Sequence, residues 1–445
     1  MFTRPDEAAR SLSAVMAAGP FDAASVVARC SAGLDQRPRW LPALAKRMVL
    51  HFGEGTRPRR IRIQRFLIAD EGFRKACEKS KINIAQVHRP APAMCPAAGA
   101  PVSWTVPPIA TVGELARRLN LSVGELGWFA GLRREKSTAP DRPLRHYNYR
   151  WLAKRNGSLR LVESPKLRLK LIQRHLLATV LDHVPPHDVA HGFRRGRSIL
   201  SFTTPHVGRA ALLRVDLKDF FPSITRSRVL AIFLTAGYPE AVAMLLAGIC
   251  THRTPHEVLR TGKQDGTGPV SRSARLLYDI PHLPQGAPTS PALANLAAYR
   301  LDCRLSGLAR AAGAAYTRYA DDLVFSGGPN FSRGTERFLL RVAAIVLEEG
   351  FEVNHRKTRL MRPAVSQRAA GIVLNAHPNL PRRQFDELKA ILHNCVKTGP
   401  ADQNRDGGVD FHAHLAGRIA HVALINPAKG AKLRMLFDKV DWSRD

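Results

Sequence analysis

The sequence predicts an α+β protein built around a small antiparallel sheet with helices on one face. A short β-type run at 211–216 ends in an acid, and aromatic and β-branched residues at 315–326 indicate a hairpin. Amphipathic helical patterns lie before and after that hairpin, and a further extended run follows at 351–353. The order strand, helix, strand, strand, helix, strand is that of a split βαβ unit.

Each of the two helices has its own start and stop signals. The first is predicted to begin at Ser290, a hydroxyl cap followed by proline in the first turn, and to stop at Gly313. Its apolar positions are Leu293, Ala297, Leu301, Leu305 and Leu308. The second helix ends at Gly350. Its apolar face carries Phe338, Val342, Ile345 and Val346.

Residues 1–88 are predicted to form a mainly helical extension, with a helix near 40–50. A basic stripe at 57–65 suits either phosphate binding or a solvated helix face. Proline and alanine dominate 89–108, which predicts a linker because proline sustains neither a helix nor a sheet ladder. Residues 109–139 then hold two short helices, a pair that either binds DNA or serves as a packing unit.

Composition identifies the class of partner. The 445 residues contain 68 Lys and Arg against 36 Asp and Glu, a formal charge of +32, which favours a nucleic acid partner through counterion release. A basic surface without a specific ligand is the alternative. No apolar run approaches the ~20 residues needed to span a bilayer, and no apolar signal segment follows Met1, so a cytoplasmic protein without a membrane partner is expected. Six scattered cysteines lack any Cys-x-x-Cys pair and support neither a zinc site nor a disulfide framework.

Adjacent acids at the bend of the hairpin are the strongest chemical signal. Asp321 and Asp322 lie in Tyr-Ala-Asp-Asp, and Asp216 ends the preceding strand, so the sheet can bring all three together. Two magnesium ions roughly 3.5–4 Å apart would activate a 3′ hydroxyl and neutralise a leaving pyrophosphate. Asp216 and Asp321 are predicted to bridge both ions, with Asp322 in a supporting role. A lone Asp-Asp is otherwise an ordinary solvated turn.

Two further segments suit a nucleotide site. In the block after Asp216, Phe221 is placed to lie under an incoming sugar and to exclude a ribose 2′ hydroxyl, whereas Phe220 suits the core. The segment Pro284-Gln285-Gly286 precedes a helix start, where backbone can approach a ligand and phosphate is favoured. Such Pro-Gly segments are also ordinary turns.

Taken together, these segments resemble a bacterial reverse transcriptase over about residues 140–445. The resemblance adds Asn354-His355-Arg356-Lys357-Thr358 to the blocks already described. It implies a right-hand polymerase with fingers at 140–210, palm at 211–370 and a short helical thumb at 371–445. It also implies that Asp216, Asp321 and Asp322 bind the metals, that Phe221 gates the sugar, that Gln285 contacts the nucleotide, and that Lys357 lies near the phosphates.

Within that superfamily the chain is most similar to the retron enzymes, which copy part of a structured RNA into a branched DNA. The similarity rests on segments at 164–174, 190–199 and 417–427. Two retron elements differ: the usual Asn-Ala-x-x-His element keeps only His206, and the usual Val-Thr-Gly is Ala369-Ala370-Gly371. The resemblance implies a structured non-coding RNA as template and primer, dNTPs as substrates, an RNA:DNA hybrid product, and a role in anti-phage defence with an effector or toxin protein.

Basic residues outside the palm are then expected to hold nucleic acid, since A-form duplexes are recognised mainly through backbone and shape. In the fingers these are Arg168, Lys170 and Arg174, and in the thumb they are Lys429, Lys432 and Arg434. Two alternatives to a retron polymerase remain open from sequence. One is an intron-type or other defence-associated reverse transcriptase, and the other is a non-catalytic RNA-binding scaffold or toxin-neutralising partner.

Overall fold

The computed structural model describes most of the chain. The described residues are 5–34, 36–56, 58–79, 94, 96, 104–131, 146–153, 159–261, 272–404 and 410–442. Most of the predicted linker at 89–108 therefore lies outside the described residues. No helix in these ranges is long and apolar enough to cross a membrane.

In the described ranges the helices are α1 Pro5–Met16, α2 Ala23–Leu34, α3 Leu41–Phe52, α4 Arg60–Ala69, α5 Glu71–Lys79, α6 Val112–Arg118, α7 Val123–Phe129, α8 Leu167–Thr179, α9 Ile199–Thr203, α10 Arg226–Thr235, α11 Glu240–Cys250, α12 His256–Thr261, α13 Arg272–Tyr278, α14 Ser290–Ala297, α15 Tyr299–Ala311, α16 Pro329–Glu348, α17 Arg382–Thr398, α18 Phe411–Ile425 and α19 Pro427–Phe437. The strands are β1 Tyr147–Ala153, β2 Leu159–Pro165, β3 Ala211–Asp216, β4 Ala314–Tyr319, β5 Asp322–Gly327, β6 Arg359–Met361, β7 Arg368–Ala369 and β8 Ile372–Val373.

The chain divides into two compact units. The first comprises residues 1–185 and 221–297, and the second comprises 186–220 and 298–445. In the first unit, helices α1–α5 enclose an apolar core of their own. Strands β1 and β2 form an antiparallel hairpin in the same unit.

The predicted pair of short helices is confirmed as α6 and α7. Each begins with a capping box, Thr111 with Glu114 and Ser122 with Glu125, in which side chain and backbone satisfy each other's amide groups. Helix α11 packs against the end of α7 at Gly248, where an added Cβ would lie only 2.3 Å from the carbonyl oxygen of Ala130. The pair is therefore a packing unit within the first unit of the fold.

The second unit contains the predicted sheet. Its four strands are all antiparallel and run in the order β4, β5, β3, β6. Strand β3 coincides with the predicted run at 211–216, and all of its residues except the half-buried Arg214 are buried. Helix α16 contacts β3 and β5 and buries Phe338, Val342 and Val346, as its spacing predicts. Helices α17, α18 and α19 share an apolar core with the β7–β8 hairpin.

Three local predictions are wrong. The helix expected from Ser290 to Gly313 is interrupted at Ala298, between α14 and α15. The Ser290 hydroxyl does not cap that helix, because it donates to the carbonyl of Pro284 at 2.7 Å and closes the preceding turn. The extended run at 351–353 makes one bridge, between Leu217 and Val353, and the fourth strand is β6 instead.

Candidate active site

The three predicted acids lie at one end of the sheet, within the second unit. Asp216, the last residue of β3, is paired directly with Asp322, the first residue of β5. Tyr319 of β4 is also opposite Asp322, so Ala320 and Asp321 form the two-residue turn of the hairpin. The amide of Leu217 donates to the carbonyl of Asp321 at 2.9 Å, which ties the turn to the end of β3.

The Asp216 carboxylate is almost fully buried and has two side-chain partners. The Asn354 amide donates to Oδ1 at 2.9 Å, and the Lys357 ammonium lies 3.0 Å from Oδ2. The backbone N–H of Asn354 also donates to the backbone carbonyl of Asp216 at 2.8 Å. The segment at 354–357, noted in the sequence, therefore fixes the orientation of Asp216 through backbone and side chain together.

Asp322 is held by Arg214, two residues before Asp216 on the same strand face. The guanidinium makes a bidentate pair, with Nε 2.9 Å from Oδ1 and Nη2 3.0 Å from Oδ2. Directly opposed like charges destabilise a strand pair, and Arg214 offsets that repulsion between Asp216 and Asp322. Both oxygens of Asp322 already have a cationic partner.

Asp321 is the acid with the least compensated charge. Burial, followed by the nearby charges of Asp322 and Asp216, raises its pKa to about 6. The pKa of Asp322 is also raised by burial, against the opposing influence of Arg214. Among the described residues, no group of three or more His, Cys, Asp or Glu side chains is arranged so that it could hold a metal ion by itself.

The chemistry of these acids suits a hard divalent cation that takes its remaining ligands from a substrate. They offer carboxylate oxygens, which Mg²⁺ prefers, and magnesium is commonly held by one or two protein carboxylates together with substrate phosphates rather than by a cage. Asp322 is paired directly with Asp216 and follows Asp321 in the chain, so the fold holds the three acids near one another. A cation bound there would relieve the repulsion that the fold imposes on these acids.

A fully buried ion pair supports the turn that carries Asp321. Arg318 of β4 makes a bidentate pair with Asp302 of α15, with Nε 2.8 Å from Oδ1 and Nη2 2.6 Å from Oδ2. Both side chains are completely buried. The Tyr316 hydroxyl also donates to Asp302. The remaining Nη1 of Arg318 donates to the carbonyl of Ala320 at 3.2 Å, inside the turn.

The segment before α9 packs against the outer edge of β4. The amide of His191 donates to the Arg318 carbonyl, and the amide of Arg318 donates to the Val189 carbonyl, both at 2.8 Å. Gly192 lies so close that an added Cβ would be 2.8 Å from the backbone nitrogen of Ala320. Ala320 itself has φ +54°, in the left-handed region. The turn is therefore confined by backbone on one side and by Arg318 on the other.

His206, the histidine noted in the sequence resemblance, is fully buried behind the hairpin. Its Nδ1 lies 2.6 Å from the Ser326 hydroxyl of β5, and its Nε2 lies 2.7 Å from the Thr317 hydroxyl of β4. Burial lowers the pKa of His206 to about 3, so the ring is neutral. In this structure His206 links the two strands of the acidic hairpin rather than presenting a surface to RNA.

Of the aromatic pair after Asp216, Phe220 lies in the core, as the sequence predicts. Phe220 is buried, with its ring 5.6 Å from that of Phe351 and 6.0 Å from the Arg318 guanidinium. Phe221 is half-buried and is the first residue of 221–297, the second of the two segments that form the first unit.

Gln285 and Gly286 also lie in the first unit, against strand β2. The amide of Glu163 donates to the Gln285 carbonyl at 2.8 Å. Gly286 has φ +130°, and an added Cβ would be 3.0 Å from the carbonyl oxygen of Glu163, so glycine is needed for both conformation and space. Gln285 is half-buried.

The predicted phosphate-binding cations lie on two helices. On α8, Arg174 is exposed and Lys170 is half-buried, while Arg168 forms an ion pair with Glu125 and lies over the Phe129 ring. On α19, Lys432 is exposed, Lys429 lies 4.7 Å from the Phe385 ring centre, and Arg434 pairs with Asp438.

Sequence reasoning missed Arg214, Arg318, Asp302 and Glu163. Arg214 had a signal, since it is two residues from Asp216 and so shares its strand face. Arg318 precedes the acidic motif directly, but its partner Asp302 is an acid on a helix whose burial the apolar spacing alone does not predict. Glu163 resembled any polar residue of an exposed strand.

A family model described as reverse transcriptase (RNA-dependent DNA polymerase) matches residues 152–388. Retron Mx65 reverse transcriptase of Myxococcus xanthus is 40% identical over 327 residues, covering 73% of this chain and 70% of that protein. Retron Mx162 reverse transcriptase of the same organism is 39% identical over 330 residues, covering 71% of this chain and 64% of that protein. The chain thus spans about two thirds of the length of these two relatives.

Among solved structures, a foamy viral protease-reverse transcriptase in complex with RNA/DNA hybrid is similar at 18% identity. The match has a TM-score of 0.30 and covers 57% of this chain and 26% of that chain.

Proposed function

Because this chain belongs to the reverse transcriptase family, and within it to the bacterial retron type, we propose that it copies part of a structured non-coding RNA into single-stranded DNA. Membership of this family carries the α+β polymerase fold, RNA-directed DNA polymerase activity and a general dependence on a divalent metal. The observation that carries the assignment of the site is the pairing of Asp216 with Asp322 beside the Asp321 turn.

We propose Mg²⁺, as two ions, held by Asp216, Asp321 and Asp322. Bound there, the metal supplies Lewis-acid activation of the 3′ hydroxyl and charge neutralisation at the pyrophosphate. Asn354 keeps the Asp216 carboxylate turned toward the end of the sheet, and Arg214 keeps Asp322 in register beside it. Asp216 and Asp321 are assigned the larger share of the metal, as the sequence predicts, while Asp322, held by Arg214 at both oxygens, keeps the supporting role.

Selection of the nucleotide is assigned to the residues that the resemblance points to. Phe221 is proposed as the sugar gate, and Gln285 and Gly286 as the contact for the nucleotide. Lys357 now neutralises Asp216, and its exposed fraction of 45% leaves the ammonium accessible to a triphosphate. We propose that it exchanges part of this pairing for a phosphate oxygen when the nucleotide binds.

The helical cations are proposed to hold nucleic acid phosphates. Arg174 and Lys170 of α8 are the stronger candidates of the fingers set, because Arg168 is engaged by Glu125. Lys432 of α19 is the most available of the thumb set, since Arg434 pairs with Asp438. The division into fingers, palm and thumb at the predicted boundaries remains a prediction.

We add two further proposals, one on the product and one on the biological role. The product is proposed to be a DNA branched from its own RNA, as an RNA:DNA hybrid while synthesis proceeds. The biological role is proposed to be anti-phage defence, exercised with an effector or toxin protein in the cytoplasm. Sequencing the nucleic acid that copurifies with the protein tests the first of these, because unbranched complementary DNA would exclude it.

The polymerase assignment is tested by removing the acids. Asp321→Asn and Asp322→Asn should reduce Mg²⁺-dependent extension of a primed RNA template by at least a hundredfold, because each removes a metal ligand. The matched control is Asp386→Asn, an exposed acid of α17 that should extend at the normal rate. Normal extension by the Asp321 variant would show that the metal site is assigned wrongly.

The sugar gate is tested separately. Phe221→Val should admit ribonucleotides, because the smaller side chain leaves room for a 2′ hydroxyl. Its control is Phe220→Val, which should lower stability by about 1–3 kcal/mol through lost core packing without changing the preference for deoxynucleotides. Unchanged sugar discrimination in the Phe221 variant would exclude the gating role.

A further inference from the structure

The loop that carries Gln285 and Gly286 is anchored to strand β2 at Glu163. The Glu163 amide donates to the carbonyl of Gln285, and its own carbonyl is the atom that Gly286 approaches most closely. The side chain of Gln285 makes no hydrogen bond to any residue that the structure describes. The position of the Gln285 side-chain amide therefore depends on the backbone of the loop, and the position of that backbone depends on Glu163.

The side chain of Glu163 points away from the solvent, into a closed polar cluster. Its carboxylate is fully buried, 2.9 Å from His282 Nε2 and 2.6 Å from the Thr254 hydroxyl. Burial favours the neutral acid, but the hydrogen bond and charge of His282 outweigh it, so the pKa of Glu163 lies below its ordinary value. Glu163 is thus a buried carboxylate, which is costly unless it is paired.

His282 carries the other half of the pair and belongs to the same loop. Its Nδ1 lies 2.8 Å from the Ile280 carbonyl, which can only accept, and its Nε2 faces the carboxylate. Both ring nitrogens of His282 therefore lie within hydrogen-bond distance of an oxygen atom, one on the backbone and one on Glu163. The backbone of His282 also exchanges two hydrogen bonds of 2.9 Å with that of His252.

The cluster therefore holds both ends of the Pro284 turn. Glu163 binds Gln285 through its backbone and His282, three residues earlier, through its side chain. The turn is further closed by the hydrogen bond from Ser290 to Pro284. A displacement of Glu163 would therefore shift both ends of this turn at the same time.

We propose that Glu163, with His282 and Thr254, is a positioning residue that holds the Gln285 and Gly286 loop in the shape that contacts the incoming nucleotide. Replacing a buried ion pair by apolar residues is often neutral or stabilising, so stability alone gives little reason for a buried carboxylate–histidine pair here. Such a pair does fix direction, because its hydrogen bonds form in one geometry only. The inference rests on the proposed polymerase function.

The test uses Glu163→Gln in the full chain, with steady-state extension of a primed RNA template. We expect KM for dNTP to rise roughly tenfold, the size of coupling found within one hydrogen-bond network, while the affinity for primer and template stays within twofold. The control is Glu257→Gln, an exposed acid of α12 in the same unit, which should leave both quantities unchanged. An equal loss of both quantities in Glu163→Gln would indicate general unfolding and overturn the inference.

Two further variants keep the test decisive if Glu163→Gln folds poorly. Gly286→Ala strains the loop directly and should raise KM for dNTP in the same way. His282→Gln combined with Glu163→Gln should be no worse than Glu163→Gln alone, because both substitutions disrupt the same hydrogen bond. Additive losses in the double variant would show that the two residues act independently, contrary to the proposal.

The outcome for the loop is separable from the outcome for the polymerase. Failure of the wild-type protein to extend any primed template would reject the proposed function itself. Normal wild-type extension together with an unchanged KM for dNTP in Glu163→Gln and Gly286→Ala would reject only the positioning role.

Discussion

Breaking the buried pair beneath the acidic turn should cost far more than breaking an exposed pair. Asp302→Asn keeps the shape of the side chain but removes its charge, leaving the Arg318 guanidinium without its counterion in a fully buried site. Removal of one partner of such a pair destabilises by about 3–5 kcal/mol. The hydrogen bond of 2.9 Å from Tyr316 is also weakened, because its acceptor is no longer charged.

The assay is urea unfolding followed by circular dichroism, with the free energy of unfolding taken by linear extrapolation. The matched control is Glu348→Gln, which removes one acid of the exposed pair with Arg304 and should cost less than about 1 kcal/mol. Asp302→Asn with Arg318→Met removes both charges and should recover part of the loss. A loss below about 1.5 kcal/mol in Asp302→Asn, without rescue in the double variant, would refute this account of the turn.

Three other predictions address the site and the nucleic acid surface. In chelating buffer, Asp321→Asn should raise the free energy of unfolding by about 3 kcal/mol, because the folded-state pKa of Asp321, about 6, exceeds the ordinary 3.8. Urea unfolding at a series of pH values should show the full gain above pH 6 and no gain below pH 3.8. A gain that does not change with pH would contradict this prediction. Gly192→Ala should lower both the melting temperature and extension rate, since its Cβ would meet the backbone of Ala320; a wild-type melting curve would contradict this. Lys432→Ala should reduce the slope of log Kd against log salt for primer and template by about 1, and an unchanged slope would remove this residue from the interface.

Periodicity and local chemistry predicted those parts of the fold that depend on near neighbours. Strand β3 was recognisable because a β-type apolar run ended in Asp216, and the hairpin because two acids interrupted an aromatic and β-branched run. The break at Ala298 was not recognisable, since the apolar spacing of α14 continues into α15 without a proline or glycine between them. The fourth strand was misplaced because 351–353 has the stronger β-type composition, whereas β6 is recruited by pairing with β3.

The sequence singled out the three acids and the 354–358 segment, but not the buried polar residues that support the hairpin. Asp302, Glu163 and His206 are polar residues whose roles depend on partners distant in the chain, and no local pattern distinguishes them from exposed polar residues. Glu163 meets His282 across 119 positions. Such pairings are decided by tertiary burial, which converts an ordinary polar side chain into one that must have a partner.

The link from His206 to the hairpin also has a consequence for biosynthesis. Its two partners follow it by 111 and 120 positions, so the histidine leaves the ribosome long before Thr317 and Ser326 exist. Until Thr317 and Ser326 are synthesised, the ring lacks both of its hydroxyl hydrogen-bond partners and is exposed to water. The buried side of the acidic hairpin is therefore completed late in translation, and a nascent chain that stops before residue 326 cannot bury this histidine with both of its partners.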